Sequence, residues 1–265
     1  MALIISSRIQ MIHPKLKMKN LFQRGLFAIL FSTAFVAAPL HADDTMAQPG
    51  QPVKLSRLHY LAAGKPDAIA LLAPPPLPDS AEQAADMATV REVYHAATSN
   101  EIAAAYSEKK FSTFNFTPAI GAFFVSTNLP KTVAFFERVQ ADAETVTDNA
   151  KDFYKRPRPY TADTNLINGK LEKSFSYPSG HSTESMTLAL VLADLFPDRH
   201  DAIIAKARSI GWHRVQTARH YPTDIYAGRV LAQAIVKQMK KSDKFERDFA
   251  EAKAEVAAAQ LAAKN

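Results

Sequence analysis

The sequence predicts an all-α fold, a compact helical bundle. In several long segments, apolar residues recur at the three- and four-residue spacing of a helix with one buried face. Serine or proline stands where some of these segments begin, and both residues favour the first positions of a helix. No segment alternates apolar and polar residues as a half-buried strand would, and no internal repeat is visible.

The predicted helices follow one another with short breaks. The first runs from Ser80 to Tyr94, and Ser80 stands three residues before Gln83 in capping-box spacing. Prolines 157 and 159 interrupt the pattern, and residues 161–177 are expected to be irregular. The other predicted helices span residues 100–109, 118–127, 130–154, 181–196, 201–219, 222–241 and 244–262.

The first 42 residues are typical of a secretory signal peptide. They contain five basic residues and no acidic one, and an apolar run from Gly25 to Leu40 precedes Asp43. This run of about 16 residues is shorter than the roughly 20 that a membrane-spanning helix needs. We therefore expect cleavage after Ala42 and a periplasmic product. An anchor that stays uncleaved is the alternative.

Residues 43–265 are expected to form a single all-α domain without disulfides, since the chain has no cysteine. Residues 43–79 are predicted to be an extended proline-rich arm that lies over the fold or is partly disordered. Removing the five basic residues from 32 leaves 27 against 26 acidic ones, a net charge of +1, which does not favour nucleic-acid binding. No later segment is apolar for long enough to span a membrane, so the product is expected to be soluble.

The tetrapeptide Pro178-Ser179-Gly180-His181 is the first candidate site. Its serine and glycine predict a tight turn into an apolar helix that begins at His181. Backbone N–H groups at such a helix start point toward one spot and favour a negative charge there. An ordinary Ser-Gly turn with a capping histidine is the alternative interpretation.

His220 and Asp224 form a candidate reactive pair. They are four residues apart near the start of a predicted helix, so their side chains can lie on one face. A carboxylate that accepts from one imidazole nitrogen leaves the other nitrogen with a lone pair that can attack. Arg214, six residues earlier, can turn toward the same site. Helix capping by His220 and Asp224 is the alternative.

Lys151 and Arg158 supply candidate cations. Arg158 stands between Pro157 and Pro159 and is expected to project from extended backbone. A guanidinium held in this way suits bidentate binding of phosphate oxygens, and the lysine adds a point charge. Lys155 and Arg156 are interpreted as facing solvent. A basic surface patch is the alternative for the whole run.

Together these three motifs resemble the type 2 phosphatidic acid phosphatase superfamily, whose pattern is K(x6)RP, then PSGH, then SR(x5)H(x3)D. They occupy residues 151–159, 178–181 and 214–224 here, in the same order and at matching spacings. Within the superfamily, the chain looks most like the bacterial class A non-specific acid phosphatases, which are exported, soluble, helical and of similar size. Residues 71–76 resemble a proline-rich lead of that class.

The resemblance implies roles for eight residues. His220 is expected to attack phosphorus and form a phosphohistidine, Asp224 to orient His220, and His181 to protonate the leaving oxygen and later activate water. The oxygens of the phosphate are expected to bind Lys151, Arg158, Ser179, Gly180 and Arg214. One histidine must then be neutral while the other is protonated, so we expect an acidic optimum and a bell-shaped dependence of rate on pH.

One position departs from the pattern, because His213 replaces the serine that precedes the motif arginine. Its imidazole either takes over a contact to phosphate or packs beside Trp212 without a role. The chemistry is expected to need no metal and no cofactor, since two arginines and a lysine would repel a divalent cation. The predicted substrates are small phosphate monoesters of broad type, and phosphate transfer to other alcohols is a conceivable side activity.

Other functions and assemblies stay open at this point. The alternatives are a vanadate-dependent haloperoxidase-like oxidoreductase, a lipid or diphosphate phosphatase of the same superfamily, and a non-catalytic phosphate-binding protein. The haloperoxidases are usually much larger. The alanine-rich last helix can pack against its own bundle or against a second copy in a homo-oligomer.

Overall fold

The computed structural model describes residues 58–263, so the predicted signal peptide and residues 43–57 of the predicted arm lie outside the described residues. All regular elements in the described range are helices, which confirms the predicted all-α class. The longer helices are α1 (Ala81–Ala96), α2 (Ser99–Ser107), α3 (Pro130–Tyr154), α4 (Gly180–Leu195), α5 (His200–Gln216), α6 (Pro222–Met239) and α7 (Asp243–Ala262).

Most predicted helices are found within a few residues of their expected ends. Helix α3 has the predicted bounds, and the side chain of Ser80 caps α1 by accepting from the backbone N–H of Gln83 at 3.1 Å. Between these elements lie short helical turns: Ala68–Leu71, Thr113–Phe116, Thr117–Ile120, Ser126–Asn128, Pro159–Ala162, Thr164–Leu166 and Pro197–Arg199.

The prediction of a continuous helix over 118–127 is wrong. The helix that begins at Thr117 ends at Ile120, because Gly121 has φ of +137°, a conformation outside the helical region that glycine alone adopts readily. The chain then turns so that Phe124 enters the core, where it is fully buried. The predicted helix 201–219 also ends early, at Gln216, and Ala218 has φ of +51°.

Helix α4 lies at the centre of the bundle and contacts α3, α5 and α6. Its apolar residues are buried on several sides, and Leu188, Val191 and Leu192 have no exposed surface. The N-terminus of this helix also lies inside the protein. The Ser-Gly turn before α4 is therefore buried, with Ser179 and Gly180 both in the interior.

The described part of the arm packs against α3. The buried carboxylate of Asp142 accepts hydrogen bonds from three successive backbone N–H groups, those of His59 at 2.6 Å, Tyr60 at 2.8 Å and Leu61 at 3.0 Å. Tyr60 also packs edge-on against Phe245 of α7. These contacts join the arm to the two helices beneath it. Within residues 58–263, no helix has both the length and the apolar character needed to cross a membrane.

Candidate active site

The starts of α4 and α6 lie side by side and bring the second and third sequence motifs together. The backbone N–H of Ser179 donates to the carbonyl oxygen of Asp224 at 3.1 Å, and the Ser182 hydroxyl donates to that of Ile225 at 2.7 Å. Gly228 makes this approach possible, because a Cβ atom there would lie 2.9 Å from the carbonyl oxygen of Ser179. Gly228 is not among the residues predicted from the sequence, because its importance depends on a helix far away in the chain.

His220 and Asp224 form the predicted pair and are almost completely buried. Nδ1 of His220 lies 3.4 Å from Oδ2 of Asp224. The same carboxylate oxygen accepts from the backbone N–H of Tyr221 at 2.9 Å and from the hydroxyl of Ser176 at 2.5 Å. These donors fix the carboxylate beside the imidazole, as helix spacing predicts.

The other ring nitrogen of His220 faces a cation. Nε2 lies 3.2 Å from Nη1 of Arg158, and a guanidinium can only donate hydrogen bonds. Nε2 therefore presents its lone pair, and the ring proton sits on Nδ1, toward Asp224. Burial, followed by the charge of Arg158, lowers the pKa of His220 well below its usual value. The imidazole is thus held in the neutral tautomer that a nucleophile requires.

Arg156 lies in the interior, so the interpretation of this residue as solvent-facing is wrong. Only 5 % of its surface is exposed, whereas Lys155 is exposed as predicted. Lys155 ends α3 in a left-handed conformation with φ of +50°, and the turn directs the following residue inward. A signal for this existed in the sequence, because residues 156 and 158 flank Pro157 in an extended run and can project to one side.

The guanidinium of Arg156 connects Asp224 to α1. Its Nη1 donates to Oδ1 of Asp224 at 2.5 Å, and its Nη2 donates to Oδ2 of Asp86 at 2.7 Å. It also lies over the ring of Tyr221, 3.9 Å from the centroid. Both carboxylates are buried, so one arginine compensates two acids in the interior. Arg156 therefore holds the residue that orients His220.

Three further cations surround the same space: Lys151 at the end of α3, Arg158 in the following loop and Arg214 in the last turn of α5. All three are buried, with exposures of 7 %, 3 % and 6 %. Lys151 lies against the turn before α4, because a Cβ atom on Gly180 would be 3.3 Å from its Nζ. Burial, then the neighbouring charge of Arg158, lowers the pKa of Lys151. Charges buried this closely together require an anion as partner.

The protein itself supplies one anionic partner for these cations, the carboxylate of Glu172. The carboxylate of Glu172 bridges the two arginines, with Oε2 2.7 Å from Nη2 of Arg158 and Oε1 2.5 Å from Nη2 of Arg214. Burial alone would raise the pKa of Glu172, but the charges of Arg158 and Arg214 hold it at about 2. Glu172 lies in the stretch predicted to be irregular and is not among the site residues predicted from the sequence. The two arginines thus form an anion site in which a carboxylate is bound.

His181 stands at the start of α4 with one nitrogen unused. Its Nε2 is buried and has no hydrogen-bond partner within residues 58–263, while the backbone of Glu108 bonds to the ring. Burial, followed by the charge of Arg214, lowers the pKa of His181 to about 4. Nε of Arg214 is another buried atom without a partner in the described part of the chain. Both atoms therefore retain the capacity for a hydrogen bond to a ligand such as phosphate.

His213 does not face the anion site with a free nitrogen. Its Nδ1 lies 2.7 Å from Oε2 of Glu108, and its Nε2 lies 3.2 Å from the hydroxyl of Ser209. Of the two alternatives for this residue, the structure favours packing without a contact to phosphate. His213 nevertheless has a structural role, because it holds Glu108, whose backbone bonds to His181.

The eight residues singled out from the sequence are thus distributed around one buried space. Lys151, Arg158 and Arg214 supply charge, the Ser179-Gly180 turn begins α4, and His181, His220 and Asp224 complete the set. Among residues 58–263, no group of three or more histidine, aspartate or glutamate side chains is arranged to hold a metal ion. The geometry is that of an anion site with a neutral imidazole at its edge.

Comparison with known proteins identifies the family of this region. Residues 139–245 match the model of the PAP2 superfamily and form a domain of that family. The non-specific acid phosphatase of Providencia stuartii is 29 % identical over 88 % of this chain and 98 % of its own length. The acid phosphatase of Zymomonas mobilis is 28 % identical over 74 % of this chain and 78 % of its own length.

A shorter similarity concerns a different activity. The lipid A 1-phosphatase of Rhizobium etli is 45 % identical over 53 residues, which cover 20 % of this chain and 23 % of that protein. The matched family region of this chain contains all three sequence motifs. All three relatives are named as phosphatases.

Proposed function

We propose that this chain, whose residues 139–245 carry a PAP2 superfamily domain, is an exported acid phosphatase that hydrolyses small phosphate monoesters through a phosphohistidine. One observation carries the proposal: the lone pair of Nε2 of His220 points at a guanidinium of the anion site. A phosphate bound by Arg158 and Arg214 would lie beside that lone pair. The similarity to two acid phosphatases over most of the chain supports the same activity.

In the first step, Nε2 of His220 forms a bond to phosphorus while the bond from phosphorus to the ester oxygen breaks. His181 gives its proton to that oxygen, and the alcohol leaves. Arg158, Arg214 and Lys151, together with the hydroxyl of Ser179 and the backbone N–H of Gly180, bind the three remaining oxygens. Charge that spreads over these oxygens in the transition state is stabilised by cations already in place.

In the second step, a water molecule attacks the phosphohistidine. His181, now neutral, takes a proton from the water, the bond between phosphorus and Nε2 breaks, and inorganic phosphate leaves. The positive charge that His220 carries in the intermediate is stabilised by Asp224, which Arg156 and Ser176 hold in place. An alcohol in place of water would give phosphate transfer by the same route.

The pKa values predict an acidic optimum. Attack requires neutral His220, and its lowered pKa keeps it neutral at acidic pH. Proton donation requires protonated His181, whose pKa is about 4, so kcat/KM should fall as pH rises above about 4. Bound phosphate is negative and should raise the pKa of His181, so kcat should fall at a higher pH than kcat/KM. Both profiles are measured with 4-nitrophenyl phosphate and residues 43–265, with a chelator present.

Two outcomes of this experiment contradict the proposal. Loss of turnover on chelation would show that a metal takes part, against the expectation from the buried cations. A rate that rises steadily to alkaline pH would show that His181 does not act as the acid. A variant that removes an exposed histidine, His200→Ala, is the matched control and should give the same profile as the wild type.

Glu172 is expected to compete with the substrate, because its carboxylate binds both arginines. Glu172→Gln removes the charge at nearly constant size and should lower KM about tenfold, with kcat little changed, since it strengthens binding of the phosphate group throughout the reaction. The competitive inhibition constant of inorganic phosphate should fall in parallel. Glu82→Gln, at an exposed position of α1, is the control. An unchanged or higher KM in Glu172→Gln would mean that the carboxylate does not compete with phosphate in solution.

A lipid or diphosphate phosphatase is the second candidate, favoured by the local similarity to a lipid A 1-phosphatase. The same His220, His181 and Asp224 would perform the same chemistry on a different leaving group. A ratio of kcat/KM between a short-chain phosphatidic acid and 4-nitrophenyl phosphate distinguishes the two. We expect this ratio to be well below one.

A further inference from the structure

A cavity of about 390 Å³ opens beside Glu172 and Arg214, outside the buried catalytic residues. Its walls come from the end of α2 and the residues after it, the loop before α4 and the end of α5. Because Arg214 belongs both to this wall and to the anion site, the cavity adjoins the place proposed for the transferred phosphate. It is therefore positioned to receive the alcohol part of a substrate.

The lining of the cavity is strongly basic. It includes Lys109, Lys170, Lys173 and Arg219 in addition to Arg214. Glu172 is the acidic residue in this lining, and its charge is compensated by Arg158 and Arg214. Among the described residues, no carboxylate lies within ion-pair distance of the three lysines or of Arg219. An excess of positive charge therefore faces the cavity.

Arg219 provides a second, independent observation. It is 6 % exposed, and its Nη1 is buried without a hydrogen-bond partner in residues 58–263. Its Nη2 donates to the backbone and side-chain oxygens of Asn168, and its guanidinium lies 5.4 Å from the ring centroid of Tyr160. A buried donor without an acceptor destabilises the protein unless a ligand completes it. This side chain is fixed by its neighbours at the wall of the cavity, with one donor left unbonded within residues 58–263.

We propose that this cavity binds a second anionic group, which is carried by the alcohol part of the substrate. This inference rests on the proposed function. The substrate class is that of phosphate monoesters whose leaving group bears a further phosphate or carboxylate. Arg214 would contact the transferred phosphate on one side, while Arg219 and the lysines would bind the second anion on the other. The cavity selects among phosphate esters by charge and leaves the chemistry at His220 unchanged.

The test compares phenyl phosphate with 4-carboxyphenyl phosphate, which differ by one anionic group. The variant Lys109→Gln/Lys170→Gln/Lys173→Gln removes three charges from the cavity at exposed positions. It should lower kcat/KM for the carboxylated ester about tenfold and change kcat/KM for phenyl phosphate less than about twofold. The control Lys110→Gln/Lys237→Gln/Lys253→Gln removes the same charge from exposed positions outside the cavity and should preserve the preference of the wild type.

An equal effect of the cavity variant on both esters would overturn the subsite while leaving the phosphatase proposal intact. If neither ester is turned over, the phosphatase proposal fails, and calorimetry decides about the subsite separately. In that experiment both esters are titrated into the wild type and into the cavity variant. The subsite is supported if the wild type binds the carboxylated ester more tightly than phenyl phosphate and the cavity variant does not. Equal binding of the two esters by the wild type, or no binding of either, overturns it.

Discussion

His220→Ala is expected to lower kcat for 4-nitrophenyl phosphate by roughly 10³-fold to 10⁶-fold, the range found when a catalytic nucleophile is removed. The remaining arginines can still bind phosphate, but no other imidazole nitrogen of residues 58–263 is placed against Arg158. His181 is not expected to substitute, because the proposed mechanism requires it as the acid. The loss should therefore appear in kcat, with binding of inorganic phosphate largely preserved.

The control for this variant is the substitution His200→Ala, because the imidazole of His200 is 57 % exposed and pairs with the neighbouring Asp201. It should have wild-type turnover. Thermal unfolding of both variants shows whether the loss in His220→Ala is one of chemistry rather than of folding. Turnover of folded His220→Ala within tenfold of the wild type would exclude His220 as the nucleophile.

Arg156→Met should have the second largest effect, on both stability and activity. It leaves the carboxylates of Asp86 and Asp224 buried without their shared cation. Breaking a buried ion pair by removing one partner costs about 3–5 kcal/mol of the free energy of unfolding. Activity should fall as well, because Asp224 loses one of the donors that fix it beside His220. Denaturant unfolding and 4-nitrophenyl phosphate turnover measure the two effects.

The matched control is Arg91→Met, because Arg91 also pairs with an aspartate but is 52 % exposed. An exposed pair of this kind contributes about 1 kcal/mol or less. Arg156→Lys should recover only part of the loss, since an ammonium cannot reach two carboxylates in the fork geometry of a guanidinium. If Arg156→Met were as stable and active as Arg91→Met, the buried network would have no role in orienting His220.

Local patterns in the sequence predict much of the fold. The bounds of α3 follow from Pro130 and an apolar period that continues to Tyr154. The cap at Ser80 follows from its spacing to Gln83. The early end of the helix predicted over 118–127 could not be found in this way. The positive φ of Gly121 depends on Phe124 entering a core that is built from distant segments.

In the candidate site too, contacts between residues close in the sequence could be predicted, and contacts between distant residues could not. Two residues four apart on a helix, His220 and Asp224, can be paired from their spacing alone. Arg156 cannot, because its partners Asp86 and Asp224 are 70 and 68 residues away along the chain. Glu172 is a further case, since a carboxylate is not expected between two arginines that are proposed to bind phosphate. Only the folded chain shows that it is placed there.

The most direct test of the phosphohistidine route is the stereochemical course at phosphorus. A phosphate monoester made chiral at phosphorus with oxygen isotopes is turned over in the presence of an alcohol acceptor, and the configuration of the transferred phosphate is determined. Attack by His220 followed by attack of the acceptor inverts phosphorus twice, so we predict retention of configuration. Inversion would show a single direct displacement and would contradict a covalent intermediate on His220.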